Sequence, residues 1–492
     1  METYDLKSPE AIEAYAKQLQ DKSLRQYFGN DVTQTYHGKG NLGQLLESAF
    51  FNYAPNSKAE PDFMEAGVEL KSTPLKTTKK GALVSKERLV LNIINYFEEV
   101  KVNFRNSSFW HKNQHLLLMF YLWEADCPTL DYVFKIISLW RFPAKDLKII
   151  KDDWLTIQRK IKNGKADEIT EGDTLYMAAC MKGRDKVSSQ CDQPYSEKKA
   201  QRRAYSLKNK YMNSVINTLL ATGKPDIDDE EIEWVLESWE DGMAHEPFDA
   251  FKTRKKQDHT EAIIKNIKQY KDSQETFEQY VERQFIPYLG MTDRQIIEKK
   301  HIEKYNAKSK YAIITKAILG ISKDNIEEFE KANITMKAIR LSKTDRLEQH
   351  MSFPTIQYKE IVNEEWEDSQ WYETLNSKFF FAIYREHDND KYTLVDAFFW
   401  NMPGSDQTEA ERLWRDTRDK IRRGDFTHFG KASESNICHV RPHGRDSHDL
   451  MQAPNGSFQK KYCFWLNSKY IKAVIDKREE TRNHFEKSES NI

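Results

Sequence analysis

Residues 68–71, Val-Glu-Leu-Lys, alternate apolar and charged positions. Side chains on a strand alternate between faces with a period of two. The pattern therefore predicts a half-buried strand with Glu69 and Lys71 on one face. Residues 116–122, LLLMFYL, form an unbroken apolar run too short to span a membrane, and predict a buried strand. Residues 41–50, NLGQLLESAF, predict a helix carrying Glu47.

This patterning occurs twice. DFMEAGVELKSTPL (62–75) aligns without a gap to EFEKANITMKAIRL (328–341). Further matches follow in the same order: residues 152–169 with 412–429, 175–185 with 436–446, and 204–216 with 463–475. Four segments recurring in order indicate a duplicated domain. Between the copies, GKPDIDDEEIEW (223–234) is acidic and TRKKQDHTE (253–261) is polar, so both read as surface linker around a short helix. The expected division is a first domain over 1–220, a linker over 221–272 and a second domain over 273–492. The copies differ at charged positions: Asp62 aligns with Glu328 and Lys71 with Lys337, but Glu69 meets Thr335 and Glu47 meets Lys316.

Bulk composition narrows the class. A chain of 492 residues exceeds one ordinary core. The formal net charge of −1 does not by itself announce a nucleic-acid binder, yet basic residues cluster locally at Lys198, Lys199, Arg202, Arg203, Lys208 and Lys210, with Tyr195, Tyr205 and Tyr211 among them. Local patches decide where a polyanion docks. The five cysteines are scattered and lack CxxC spacing, which argues against a disulfide framework or a zinc site and fits a reducing cytoplasm. The opening METYDLKSPE has neither a basic n-region nor an apolar h-region. No GxxxxGK[ST] occurs, which disfavours an NTP-driven enzyme.

An acid followed some residues later by Glu-x-Lys is a pattern of metal-dependent nucleases. Phosphodiester hydrolysis needs a divalent cation to polarise a phosphoryl oxygen and lower the pKa of a water. Mg²⁺ takes oxygen ligands, usually one or two carboxylates with waters and substrate phosphate. Asp62 and Glu69 can supply the carboxylates, and Lys71 can orient the water and offset charge on the phosphorus. Glu69-x-Lys71 alone would read more simply as a wet strand face; Asp62 shifts the balance. His439, His443 and His448 read as a structural or DNA-contacting loop, since no cysteine completes a metal set. NEEWEDSQW (363–371) reads as a solvated helix.

The segments GQLLE (43–47), DFMEAGVELKSTP (62–74), YMAACMK (176–182) and AYSLKNKYM (204–212) resemble the mismatch-repair nicking endonuclease MutH. They resemble still more the GATC-cutting type II restriction endonucleases of the Sau type, built from two MutH-like halves. SKERLVLNIINYFEEV (85–100) resembles a helix of that group, and QPYSEKKAQRRAYSLK (193–208) and NEEWEDS also look like it. The resemblance covers nearly the whole chain. It implies an α/β fold of two tandem restriction-endonuclease-like domains, each a mixed central sheet flanked by helices. It also implies Mg²⁺-dependent double-strand cleavage of DNA at GATC, before the G.

The resemblance carries over Glu47, Asp62, Glu69 and Lys71 as the catalytic set, the three acids as metal ligands, with Lys112 as a further catalytic lysine. DNA contacts are expected from Lys182 and Arg184, from Arg202, Arg203, Tyr205 and Lys208, and in the second copy from Arg441, His443, Arg445, Lys469 and Tyr470. The MutH pattern has an arginine two places before the loop lysine; here that place holds Cys180, and its counterpart in the second copy is Arg441. The second copy, lacking two carboxylates, reads as a DNA-binding effector that captures a second site, so that two chains meet on bridged DNA. A cognate methyltransferase is the implied functional partner and the cytoplasm the implied place. The alternatives are a MutH-like nickase and a non-catalytic DNA-binding regulator.

Overall fold

Strand β1 (Glu69–Thr77) forms where the alternation places it. The computed structural model describes residues 4–29, 42–53, 60–78, 80–183, 188–237, 260–265, 267, 275–303, 309–347, 349–387, 391–446 and 448–489, the last with side chains to 482. The chain divides into two units: Met1–Phe277 with Lys323–Asn333, and Glu278–Ser322 with Ile334–Ile492.

In the first unit β1 heads a mixed sheet with β2 (Leu83–Ser85), β4 (Leu116–Leu122) and β5 (Val133–Trp140), in the order β2-β1-β4-β5. β1 runs parallel to β4, Glu69 opposite Leu116 and Lys71 opposite Leu118, while the other pairs are antiparallel. The apolar run 116–122 fills the centre of this sheet, its first five residues fully buried. A second, antiparallel sheet has the order β3-β9-β6, from β3 (Leu89–Ile93), β6 (Met177–Met181) and β9 (Arg203–Leu207). Between β6 and β9, β7 (Gln190–Gln193) and β8 (Ser196–Gln201) form a hairpin. A short parallel pair, β10 (Thr260–Glu261) and β11 (Asn325–Ile326), completes the strands of this unit.

The helix Ala144–Lys162 buries Leu147, Ile150, Trp154, Ile157 and Ile161, an i, i+3, i+7 spacing that lines one face. Arg159, Lys160 and Lys162 in its last turn suit the negative end of the helix dipole. Asp153 ties it to the start of β6: its carboxylate accepts the N–H groups of Leu175, Tyr176 and Met177 at 2.6–2.9 Å. The linker region contains the helix Asp229–Glu237, and residues 238–259 lie outside the described residues.

The helix expected over 85–100 is instead strand β3 followed by the short helix Tyr96–Glu99. Leu89 and Leu91 are buried while Val90 and Asn92 are half-exposed, a period of two. Pairing of Leu89 with Leu207 and Val90 with Ser206 makes strand the better use of this segment. Asn95 then ends the strand and caps the helix, accepting the Phe97 N–H at 3.2 Å.

The second unit repeats the plan. A mixed sheet has the order β12-β14-β15, from β12 (Thr335–Leu341), β14 (Phe379–Glu386) and β15 (Tyr392–Trp400). An antiparallel sheet has the order β13-β19-β16, from β13 (Met351–Thr355), β16 (Cys438–Pro442) and β19 (Tyr462–Leu466), and β17 (Leu450–Gln452) pairs with β18 (Phe458–Lys460). The helix Gly404–Arg422 matches Ala144–Lys162 in length, both following a proline. Trp366 and Trp371 of NEEWEDSQW are core residues; Glu365 before them and Glu367 and Asp368 between them face solvent. The helix expected there is broken into a turn of 3-10 helix, Trp366–Asp368, and the helix Gln370–Leu375, each anchored by one tryptophan.

Candidate active site

Glu69 opens β1 and is 1 % exposed. The strand's period of two brings Lys71 to the same face, and its Nζ donates to Glu69 Oε1 at 2.6 Å. Lys112 reaches the same oxygen at 3.4 Å from the helix Ser108–Asn113, whose N-terminus is capped by Ser107. Asp62 comes from the turn before β1. Phe63 and Val68 exchange backbone hydrogen bonds across that turn at 2.9 and 3.2 Å, with Gly67 at φ +64° making the tight return. The two acids are laced together: the Asp62 N–H donates to Glu69 Oε2 at 3.1 Å, and the Leu70 N–H donates to Asp62 Oδ2 at 2.9 Å.

Glu47 lies on the predicted helix, which begins as Leu42–Leu45 and continues as a π turn, Leu46–Phe50, closed by a Phe51 N–H to Leu46 carbonyl bond of 2.8 Å. Such turns are frequent at functional sites. Burial and then the charge of Glu69 push the Glu47 carboxyl up, with Lys71 and Lys112 pulling it back. The structure thus brings Glu47, Asp62, Glu69, Lys71 and Lys112 together.

Three carboxylates against two ammoniums leave one negative charge in excess when all are ionised. The strain shows at Asp62, pushed up to about 7 by burial and then by Glu69, against the Leu70 N–H and Lys71. A divalent cation would relieve that repulsion, so the donor chemistry fits one. Among the described residues no group of three or more acid, histidine or cysteine side chains is placed to hold a metal ion.

The expected DNA contacts divide. Arg202, Arg441, His443, Arg445 and Lys469 are exposed, Lys182 is half-buried beside its loop, and Arg184 lies outside the described residues. The Arg441 guanidinium sits over the Trp465 ring at 5.1 Å, with the His443 ring edge-on to the same indole, also at 5.1 Å. Arg203 and Tyr205 are core residues instead, 7 % and 1 % exposed. β9 is the central strand of its sheet. Arg203 donates inward to the carbonyls of Ala179, at 2.6 Å, and Ile169, and the Tyr205 hydroxyl bonds the buried Glu99 carboxylate. Lys208 Nζ is likewise held, by the Thr174 carbonyl at 2.6 Å, and Tyr470 donates to Asp406 at 2.6 Å. His439 is buried on β16, its Nδ1 against Asn467 Oδ1 at 2.5 Å, so only part of the histidine segment is exposed loop.

At the matching positions of the repeat, Glu328 is a buried carboxylate spent on the N–H groups of Ile263 and Ile264, each at 3.0 Å. Thr335 opens β12 as Glu69 opens β1, and burial draws the Lys337 ammonium down from its ordinary range. Sequence reasoning missed Tyr53, whose buried hydroxyl is acted on by Asp62, Glu47 and Glu69. A tyrosine in the aromatic run FFNY carries no signal separating site from core.

Residues 51–153, which include Asp62, Glu69, Lys71 and Lys112, match the family described as DNA mismatch repair enzyme MutH. Over its length the chain is similar to the type II restriction enzyme Sau3AI of Staphylococcus aureus, 31 % identical across 97 % of this chain and 99 % of that one. The chain belongs to the MutH-like type II restriction endonucleases. MutH-like similarity also extends to the DNA mismatch repair proteins MutH of Shewanella woodyi, 28 % identical over 28 % of this chain and 59 % of that one, and of Haemophilus influenzae, 32 % identical over 27 % and 57 %. As a MutH-like restriction endonuclease the protein is a site-specific DNA nuclease, and among its described residues no helix is long and apolar enough to cross a membrane.

Proposed function

We propose that the protein makes Mg²⁺-dependent double-strand cuts in DNA at GATC, before the G, with residues 1–220 as the catalytic domain, 221–272 as linker and 273–492 as a non-catalytic domain that binds a second site. The observation that carries this reading is the convergence of Asp62, Glu69 and Lys71 at the head of one strand in a chain similar from end to end to a type II restriction enzyme. GATC is supported by the quoted Sau-type motifs. A host cytoplasm and a functional link to a GATC methyltransferase follow from that role.

Asp62 and Glu69, with Glu47 behind them, would hold the cation. A bound Mg²⁺ supplies polarisation of the scissile phosphoryl oxygen and a lowered pKa for water. Lys71, fixed by its 2.6 Å bond to Glu69, orients the attacking water and offsets charge on the phosphorus. Lys112 adds a second positive charge from the neighbouring helix, and burial of Glu69 keeps this electrostatic contrast strong. Exposed Arg202, Arg441, Arg445 and Lys469, with half-buried Lys182, are suited to phosphates and base edges.

Incubating the full chain with plasmid and Mg²⁺ and sequencing the ends tests the whole reading. The expected result is linear fragments ending at GATC, lost in chelator, with Ca²⁺ supporting binding but little hydrolysis. Nicked circles alone would overturn double-strand cleavage; full activity in chelator would overturn the metal mechanism.

A further inference from the structure

On β16 and β19 of the second unit, His439 stands opposite Trp465 and Arg441 opposite Cys463. The same register on β6 and β9 of the first unit sets Ala178 opposite Ser206 and Cys180 opposite Ala204, all four small and buried. Arginine, tryptophan and histidine thus stand together in one copy and are replaced together in the other. The three are stacked and braced. Asn467 donates its side-chain N–H to the Ser435 carbonyl at 2.6 Å, which turns its Oδ1 to accept from His439 Nδ1 at 2.5 Å. The buried His439 ring lies within 15° of the plane of the Trp465 indole, centroids 6.2 Å apart. Over that indole, at 5.1 Å, sits the Arg441 guanidinium. Arg441 is exposed, and among the described residues its side chain makes no hydrogen bond or ion pair.

We propose that Trp465 is a positioning residue that holds Arg441 so that its N–H fork reads a guanine in the second DNA site. The inference rests on the reading of the second unit as a DNA-binding effector. An aromatic face attracts a guanidinium without using any of its N–H groups, so the fork stays available to a ligand. A fork of fixed direction matches the O6 and N7 acceptors of guanine in the major groove, the commonest specific contact of arginine with DNA. The first unit, with Cys180 and Ser206 at these places, has no such reader there.

The test uses the full chain, a one-site plasmid and a short GATC duplex in trans, and reads the duplex concentration that gives half-maximal stimulation of cleavage. A second duplex carries 7-deazaguanine at the GATC guanine of each strand, which removes the N7 acceptor. The parent should need roughly tenfold more of the 7-deazaguanine duplex, within the range for a spoiled bidentate base contact. Trp465→Leu keeps an apolar side chain on β19 but removes the aromatic face. It should need roughly fivefold more of the GATC duplex, in keeping with a lost cation–π contact, and its preference between the two duplexes should shrink toward none. Trp465→Phe, with a weaker ring face, should fall between the parent and Trp465→Leu on both measures. A packing defect alone would raise both concentrations equally; an intact preference in Trp465→Leu, or in Trp465→Phe if the former does not fold, overturns the positioning role. Equal use of both duplexes by the parent overturns guanine reading and leaves Arg441 a phosphate contact. No stimulation of the parent by either duplex overturns the second-site reading on which the proposal rests.

Discussion

The two copies share backbone register to the residue, yet at two of the four compared charged positions the chemistry changes: Glu47 and Glu69 meet Lys316 and Thr335, while Asp62 and Lys71 meet Glu328 and Lys337. Glu69 stands opposite Leu116 and Lys71 opposite Leu118; Thr335 stands opposite Phe379 and Lys337 opposite Phe381. The antiparallel neighbour carries an irregularity at the same step, after Phe120 in one and Ile383 in the other. Leu207 pairs with both Leu89 and Met177, as Leu466 pairs with both Met351 and Cys438. Strand pairing and core burial therefore maintain the scaffold without help from the carboxylates. The acids burden the first unit, because they crowd like charges in a buried place, which supports the proposed cation site there.

The largest expected effect separates the units outright. Asp62→Ala, Glu69→Ala and Lys71→Ala should each lower the cleavage rate by on the order of a hundredfold or more while DNA binding persists. Lys337→Ala, the matching change in the second unit, should leave one-site plasmid cleavage within about twofold of normal, as expected of a group outside the transition state. Rapid cutting by any of the first three, measured in single turnover, would remove the distinction between the copies.

A smaller, several-fold effect should expose what the second unit does. Under the proposed function one catalytic half per chain would cut one strand, and a palindromic site would favour two chains about a two-fold axis. Plasmids with two GATC sites should then be cut faster per site than plasmids with one, and a short GATC duplex added in trans should stimulate the slow substrate. Arg441→Glu with Arg445→Glu should abolish that stimulation, because both side chains are exposed, Arg441 over the Trp465 ring, and neither belongs to the acidic cluster. Equal rates on both plasmids, indifferent to added duplex, would leave the repeat as scaffold only.

How much of this was legible in the sequence follows from where the deciding contacts lie. β4 was readable because its apolar run is continuously buried, and β1 because VELK alternates in sequence, although its burial does not: Glu69 and Leu70 are both buried. The repeat was readable because both copies spend the same apolar positions on the same pairs. β3 was misread because the apolar spacing of LVLNII suits a helix or a strand, and only its long-range pairing with β9 decides. Arg203 and Tyr205 looked like surface because their neighbours are basic; the carbonyls of Ala179 and Ile169 and the carboxylate of Glu99 that satisfy them come from distant segments. Glu328 likewise showed its sequence alignment to Asp62 but not its partners, the amides of Ile263 and Ile264.

The smallest expected effect reads the charge crowding of the first unit as stability. Asp62 titrates near 7 in the folded chain, raised by burial and by Glu69, against an ordinary value of about 4 when unfolded. Between those values the folded state keeps a proton that the unfolded state releases, so this group's contribution falls as pH rises from about 4 to about 7 and stays low above that. Asn can still accept the Leu70 N–H through its carbonyl oxygen, yet brings no charge beside Glu69. Asp62→Asn should therefore melt higher than the parent at pH 8, by on the order of a few °C, and the gap should close as pH falls toward 4. Mg²⁺ should close part of the same gap from the other side, raising the parent at pH 8 by binding the folded state while leaving the variant nearly unmoved. A melting difference that ignores both pH and Mg²⁺, followed by calorimetry across the range, would mean that the acids of the first unit are no more strained than the threonine and lysine that replace them in the second.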